Sequence, residues 1–245
     1  MRLFGKRKEE PAQEKPWIEA LELNTSSWFQ VYSACLGKML TIQKACGEQV
    51  VKDQGWNVHF SEGIICFGSQ KYPLQFLGSE SSVSNSWLWG WQNVNHFPDR
   101  LLQAARQTWE TGKRWNLEPL ITAKFELDDT FNGHSMAIVA CGLSDGYCYY
   151  RCPHAQGAAF VAFSEVPGSV FAPVDAQAFI STTLQCVRQF HVDHKLFVEG
   201  FLTWNQTKFD WEGKTLIAHF EKDLCFNFEQ AGEFLRIASI KAKEL

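Results

Sequence analysis

Three tryptophans at alternating positions are the residues of this chain whose types and spacing point most directly to a binding surface. Trp87, Trp89 and Trp91 alternate with Leu88 and Gly90. Side chains two residues apart on a β-strand point to the same face of the sheet, so we expect the three indoles to share one face. Such a face forms either the floor of an apolar core or the wall of a ligand pocket.

Polar residues follow the tryptophans at once. Asn93 falls on the same face if the alternation continues, and His96 lies near it. Ligand pockets combine apolar walls with a few polar groups that orient the ligand. If this face is a pocket wall, we therefore expect Trp87, Trp89, Trp91 and Asn93 to contact the ligand. If the face belongs to the core, the same residues have a structural role.

Cysteine and histidine side chains could converge on a metal ion in one predicted strand. Cys148, Cys152 and His154 are separated by even numbers of residues there and would point the same way. A structural zinc site needs four ligands, usually from paired Cys-x₂₋₄-Cys spacings, and the sequence offers no fourth ligand. We predict no metal site here, nor at His191 and His194, because Asp193 is expected to interrupt the helix between them.

Three short motifs match known signatures but lack the structural context that the chemistry needs. Residues 142–146 read Gly-Leu-Ser-Asp-Gly, yet this G-x-S-x-G follows a predicted helix, whereas a nucleophile elbow follows a strand. Residues 213–215 lack the first glycine of a phosphate-binding loop and lie between predicted strands. Residues 128–139 lack the bidentate acidic ligand that ends a calcium loop. We predict a helix-terminal turn, a hairpin turn and no calcium site.

Composition excludes several classes of protein. The 245 residues are 45% hydrophobic and 14% aromatic, which does not fit a disordered chain, a collagen-like repeat or a simple coiled coil. The formal charge is -4, and residues 1–16 hold five basic and three acidic side chains, so residues 17–245 have a net charge of -6. Nucleic-acid binding needs a basic surface. We therefore expect no nucleic-acid partner.

The cysteines and the hydropathy of the chain indicate the cellular compartment in which the protein is expected. The eight cysteines are spread along the chain, mostly among apolar neighbours, as small core residues are in a reducing compartment. No apolar run approaches the ~20 residues of a membrane-spanning helix, and the basic N-terminus lacks the apolar stretch of a secretory signal. We expect a cytoplasmic protein without a membrane span, and no cofactor is indicated.

The elements that must position these residues follow from periodicity. Apolar residues recur every three or four positions in helices and every second position in strands. In the first two thirds this predicts a helix from Ser27 to Gly47, a strand meander through 56–60, 64–67, 74–77 and 87–91, helices over 98–112, 116–125 and 132–140, and a hairpin of 147–151 with 159–163. In the last third it predicts helices over 179–190 and after Asp193, then strands around 209–211, 216–220, 226–228 and 235–237.

This order predicts an α+β fold of antiparallel β-meanders packed with helices. A helix followed by a meander occurs twice, which suggests a pseudo-repeat of residues 17–96 and 175–245. We predict a flexible charged tail over residues 1–16, a unit over 17–167 that carries the tryptophan strand, and a helix-meander unit over 168–245. The two units are expected to pack into one compact globule.

The tryptophan strand also carries a family resemblance. The chain resembles a bacterial family of uncharacterised proteins that combines a Leu-Gly-Ser strand end, a Trp-x-Trp-x-Trp-x-Asn strand and a Tyr-Arg-x-Pro hairpin. The matching residues are Leu77, Gly78, Ser79, Trp87, Leu88, Trp89, Trp91, Asn93, Tyr150, Arg151 and Pro153. The resemblance covers most of residues 27–166 and extends more weakly through Asp193, His194 and Gly232. It implies a shared fold and no assigned activity.

Two functional hypotheses follow. The first is a non-catalytic binding or interaction module whose aromatic face holds a small apolar ligand or a protein partner. The alternative is an enzyme of unknown reaction, in which Arg151 binds an anion and His154 or His194 serves as acid or base. We favour the first, because no nucleophile, base and orienting group occur together in a recognisable order.

Overall fold

The computed structural model describes residues 17–243, so the predicted tail of residues 1–16 lies outside the described part. Helix α1 (Trp28–Cys46) begins at the predicted cap, where the Ser27 side chain accepts a hydrogen bond from Gln30 N. The Gln30 side chain accepts instead from Asn24 N, at 2.6 Å. The capping-box spacing is therefore used in one direction only.

A seven-stranded sheet follows, and the predicted meander forms its first part. Its strands are β1 (Trp56–His59), β2 (Ile64–Phe67), β3 (Gln70–Ser81), β4 (Ser86–Trp89), β5 (Lys124–Glu126), β6 (Cys148–His154) and β7 (Gly157–Phe163). The order runs β1-β2-β3-β4-β5, with β7 also paired to β3 and β6 paired to β7. All pairings are antiparallel. The long strand β3 thus joins the first meander to the β6–β7 hairpin.

The helical middle of the chain differs from the prediction. A 3₁₀ turn (Asp99–Leu101) precedes α2 (Gln103–Trp115), which continues past Gly112. A Cβ at Gly112 would lie 2.5 Å from Leu120 Cβ, so this glycine allows a close approach of α3 (Glu118–Ile121) and does not end the helix. Asn116, expected as a helix start, ends α2 in the left-handed conformation.

Helix α4 (Gly133–Gly142) begins at the predicted Asn132, which forms a reciprocal capping box with Ser135. The helix ends within the G-x-S-x-G segment and leads into the β6–β7 hairpin, so the predicted helix-terminal turn is confirmed. The ammonium group of the buried Lys38 donates to Gly142 O at 3.0 Å and to Ser144 O at 2.7 Å. A cation therefore satisfies carbonyl groups at this helix end.

The last third forms two helices and a four-stranded sheet, as predicted. These are α5 (Ala176–Gln189), α6 (His194–Trp204), β8 (Phe209–Glu212), β9 (Thr215–Ala218), β10 (Leu224–Ala231) and β11 (Phe234–Ala242), with the strand order β11-β10-β9-β8. The Asp193 side chain caps α6 by accepting from Leu196 N at 3.1 Å. Gly213 lies in the β8–β9 hairpin turn with φ +61°, which confirms the predicted turn.

Helix α1 packs against α4 on one side and against α6 on another. Gly200 of α6 lies so close to α1 that a Cβ there would be 2.5 Å from Ala34 O. Buried residues of both sheets and of these helices form one hydrophobic cluster. The predicted α+β class is confirmed, and none of the described helices is long and apolar enough to cross a membrane.

Candidate functional site

Two of the three tryptophans lie in the core. Trp87 and Trp89 expose 0% and 1% of their surface. The Trp87 ring meets Trp89 edge to face with centroids 5.2 Å apart and meets Phe160 at 5.5 Å. Trp89 Nε1 donates to Pro119 O at 2.8 Å. Of the two interpretations that the sequence left open for this face, the structure places Trp87 and Trp89 in the core.

The backbone of β3 is shaped to hold this pair of indoles. Gly78 lies opposite Trp89 in the sheet register. A Cβ at Gly78 would lie 2.4 Å from Trp87 Cζ2 and 2.6 Å from Leu88 O, so a larger residue cannot be accommodated without a shift. The packing of Trp87 therefore requires glycine at position 78, within the Leu-Gly-Ser segment of β3.

Trp91 has a different environment because the strand ends before it. Strand β4 stops at Trp89, and residues 90–92 form a 3₁₀ turn. The expected alternation therefore does not reach Trp91. The turn places the half-buried Trp91 ring against Trp109 of α2, with centroids 5.5 Å apart and planes 29° from parallel. Trp91 thus lies outside the sealed core pair and contacts a surface helix.

The Trp91–Trp109 pair lines an open surface cavity of about 260 Å³, which we call the α2 groove. Its lining residues are Trp91, Gln92, Arg106, Trp109 and Glu110. None of these five side chains is fully buried. The groove therefore combines two stacked indole rings with an amide, a guanidinium and a carboxylate.

Charged side chains at the α2 groove are paired with one another. Arg106 Nη2 lies 2.8 Å from the Asp99 carboxylate, and Lys113 Nζ lies 2.8 Å from the Glu110 carboxylate. Lys113 Nζ also lies 3.8 Å from the Trp109 ring centroid, in a cation–π contact. The charges of these two pairs balance, so the groove has no strong preference for an anionic or a cationic ligand.

Asn93 acts on the loop that follows Trp91. Its backbone is left-handed, with φ 50°. Its side-chain amide donates to Phe97 O at 3.0 Å, and its Oδ1 accepts from Phe97 N at 2.7 Å. Both ends of the amide therefore close the loop over residues 93–97. Asn93 therefore stabilises the loop beside the groove, and its side-chain amide already has hydrogen-bond partners.

Arg151 belongs to a second cluster, on β3, α4 and β6. Its Nε lies 3.3 Å from Glu80 Oε2, and the other oxygen of that carboxylate accepts from Gly133 N at 2.7 Å. The next residue, His134, has its Nδ1 3.2 Å from the Tyr149 hydroxyl. The structure thus places Arg151 beside His134, a residue that the sequence did not single out.

The histidines expected to work with Arg151 lie elsewhere. His154, at the end of β6, accepts a hydrogen bond from Gln156 N through Nδ1 at 3.3 Å. His194, at the start of α6, accepts from Ile237 N of β11 at 3.2 Å. Each imidazole therefore has a backbone hydrogen-bond partner.

Cys148, Cys152 and His154 are not brought together around a metal position. Cys148 and Cys152 are buried and His154 is exposed. Burial raises the pKa of the Cys152 thiol to about 12, and the pKa of the Cys148 thiol is raised by a hydrogen bond with Cys46 and by burial. In residues 17–243, no group of three or more His, Cys, Asp or Glu side chains could hold a metal ion.

Sequence reasoning missed the partner of Trp91. Trp109 lies within the predicted helix over 98–112, and its side chain is half buried. One signal was present: Arg106, Glu110 and Lys113 lie three, one and four residues from Trp109, so charged side chains surround it on the helix surface. Glu80 and His134 gave no such signal, because they meet only through the tertiary fold.

Residues 30–166 match the sequence profile of DUF6882, a family of unknown function. The match covers more than half of the chain and includes all residues of the α2 groove and of the Arg151 cluster. The chain has no match among curated proteins or among solved structures.

Proposed function

The chain belongs to DUF6882, a family of unknown function, and we propose that it is a non-catalytic binding module that holds an aromatic side chain of a protein partner in the α2 groove. The observation that carries this proposal is the stacked, half-exposed pair of Trp91 and Trp109. Tryptophan and arginine dominate the binding energy of many protein interfaces, and Arg106 lines the same groove.

The size of the groove favours one side chain over a larger ligand. Sites for drug-sized ligands and cofactors measure roughly 300–1,000 Å³ and enclose most of the ligand. The α2 groove measures about 260 Å³ and is open to solvent. An aromatic ring presented by a partner would stack on the indoles, and the rest of the partner would cover the open side.

The polar side chains of the α2 groove can form hydrogen bonds with the parts of a partner that surround such a ring. Gln92 offers an amide at the groove, and Glu110 and Arg106 can bond to the backbone or to polar side chains of the partner. Trp91 Nε1 is buried without an acceptor among the described residues. An unpaired buried donor costs about 1–3 kcal/mol, so an acceptor that reaches it after a small rotation of the ring would add to binding.

The probe for this proposal is N-acetyl-phenylalanine amide, which presents one aromatic ring between two amides. We expect it to shift the indole N–H signals of Trp91 and Trp109 in ¹H–¹⁵N spectra of the full chain. Trp109→Ala removes one wall of the groove and should weaken probe binding about tenfold, since an aromatic pair contributes about 0.5–1.5 kcal/mol beyond its buried area.

Trp56→Ala is the matched control. Trp56 is also half buried and also packs against an aromatic ring, that of Tyr150, with centroids 5.5 Å apart and planes inclined by 58°. It lies on β1 and does not line the α2 groove. Equal probe binding by Trp109→Ala and wild type, or equal losses in both variants, would contradict the proposed site.

The alternative, an enzyme of unknown reaction that uses Arg151, is favoured by one observation. Glu80 links Arg151 to the start of α4, where His134 lies. The binding module remains the better supported function, because the α2 groove is a cavity whereas the Arg151 cluster lies on the open surface of the sheet and of α4.

A further inference from the structure

We propose that Arg151 and His134 form a second binding site, for a small oxyanion such as a phosphate monoester or a carboxylate. Glu80 of β3 links Arg151 of β6 to Gly133 at the start of α4, and His134 is the next residue. This site shares no residue with the α2 groove, so the proposal goes beyond the proposed function and can fail independently of it.

The Glu80 carboxylate fixes the geometry of the site. One oxygen accepts from Gly133 N at 2.7 Å, and the other lies 3.3 Å from Arg151 Nε. The Glu80 side chain is 14% exposed, whereas that of Arg151 is 41% exposed. Glu80 therefore lies beneath the surface as a support, and the guanidinium lies above it.

Only one of the hydrogen-bonding nitrogens of the Arg151 guanidinium has a partner among the described residues. Its bond to Glu80 involves Nε, and its two Nη groups make no hydrogen bond to any residue in 17–243. A guanidinium presents its donors in a plane that matches the two oxygens of a carboxylate or phosphate. The free edge of Arg151 is therefore available to an oxyanion from solvent.

His134 supplies a second donor beside this edge. Its Nδ1 lies 3.2 Å from the hydroxyl of Tyr149, which is itself 8% exposed. The ring packs edge to face on Phe160, with centroids 5.3 Å apart. When the Tyr149 hydroxyl donates to Nδ1, the proton of the neutral imidazole is on Nε2, which has no partner among the described residues. His134 then presents an N–H to the same solvent.

Burial and the nearby charges set the protonation state of His134 in the free protein. Partial burial lowers the pKa of His134, the Glu80 carboxylate raises it, and the Arg151 guanidinium lowers it. The net direction is downward, so the imidazole is neutral near pH 7. An oxyanion bound at Arg151 would reverse the effect of the guanidinium and favour the imidazolium. An oxyanion whose own charge stays constant over this range, such as acetate, should therefore bind more tightly as the pH falls toward the lowered pKa of His134.

The test is an NMR titration of the His134 imidazole in the full chain, with methyl phosphate, acetate or sodium chloride at equal ionic strength. We expect methyl phosphate or acetate to raise the pKa of His134 in a saturable way, and chloride to have no saturable effect. The stronger of the two anions identifies the ligand as a phosphate monoester or a carboxylate. A pKa that responds equally to all three salts would overturn the proposal.

Variants separate a specific site from general screening. Arg151→Gln should weaken anion binding about tenfold or more, because a neutral amide cannot replace the charge-assisted hydrogen bonds of the guanidinium. Arg151→Lys keeps the charge without the planar pair of donors and should retain part of the binding. Arg114→Gln is the matched control, since Arg114 is 44% exposed and also pairs with a carboxylate, that of Glu19. Equal anion affinity in Arg151→Gln and Arg114→Gln would refute the site.

Discussion

Residues of one type and one spacing have different environments in this protein. Trp87 and Trp89 are sealed in the core, while Trp91, the next in the series, stacks on Trp109 at the surface. The difference arises from the backbone, because β4 ends at Trp89 and a 3₁₀ turn follows. At the residue scale, function is therefore expected from Trp91 and Trp109, and stability from Trp87 and Trp89.

Replacement of a core tryptophan tests this division. Trp89→Ala removes a fully buried indole and its hydrogen bond to Pro119 O. Large aromatic-to-alanine changes in a core cost about 3–5 kcal/mol, and we expect a loss of this size in equilibrium urea unfolding. Trp109→Ala should cost less, because that side chain is only half buried. Wild-type stability of Trp89→Ala would show that the indole is not part of the core.

At the scale of elements, a histidine side chain in the first turn of α6 forms a hydrogen bond with the backbone of β11. His194 Nδ1 accepts from Ile237 N at 3.2 Å. Burial lowers the pKa of His194, and nearby Arg236 and His191 lower it further, while Asp193 opposes them. Protonation of Nδ1 would remove the acceptor, so the attachment of β11 depends on a neutral imidazole.

This contact predicts a dependence of stability on pH. The folded-state pKa of His194 lies below its ordinary value, so the unfolded chain binds the proton more tightly. The stabilising contribution is complete above about pH 6.5 and is lost as the pH falls through the lowered folded-state pKa. We expect His194→Gln to reduce the fall in unfolding free energy between about pH 6.5 and pH 5, measured by urea unfolding at several pH values.

His219, which directly follows β9, provides a control of opposite sign. Its two ring nitrogens lie 2.9 Å from Asp210 and 3.1 Å from Asp223. Hydrogen bonds to these carboxylates raise the pKa of His219. Its contribution is therefore complete below about pH 6.5 and is lost as the pH rises through the raised value. His219→Gln should change the pH profile above neutrality, and an identical profile for both variants would contradict these assignments.

At the scale of the whole molecule, α1 connects the two sheets. It packs on α4, beside the seven-stranded sheet, and on α6, beside the four-stranded sheet. Gly37 of α1 faces the Phe201 side chain, and Gly200 of α6 faces the Ala34 backbone. Two glycines at one helix pair allow the backbones to approach closely. Helix α1, which lies within residues 17–167, therefore packs directly against a helix of residues 168–245.

Because α1 packs on both α4 and α6, we predict that a destabilising substitution in α6 lowers the stability of both sheets. Gly200→Ala places a Cβ 2.5 Å from Ala34 O, which forces the helices apart at a cost of about 1–3 kcal/mol. Hydrogen exchange should show protection lost by similar amounts in β3 and in β10. Gly47→Ala is the control, because a Cβ there meets nothing within 4 Å and the backbone is helical. Loss confined to β10 in Gly200→Ala would show that the two units unfold independently.

Local patterns predicted most elements because their causes are local. The Ser27 and Asp193 caps, the period-two strands and the Gly213 turn depend on neighbouring residues alone. The errors occur where a residue serves a distant neighbour. Gly112 looks like a helix end and in fact makes room for Leu120.

The sequence by itself determined the α+β class, the positions of most helices and strands, and a concentration of aromatic residues at 87–91. The tertiary structure alone decided that Trp91 meets Trp109 and that Glu80 joins Arg151 to the start of α4. The physical reason is that the spacing of apolar residues along the sequence shows only which side of a helix or strand is apolar. Whether that side is sealed or open, and which distant side chain lies against it, depends on how the elements pack.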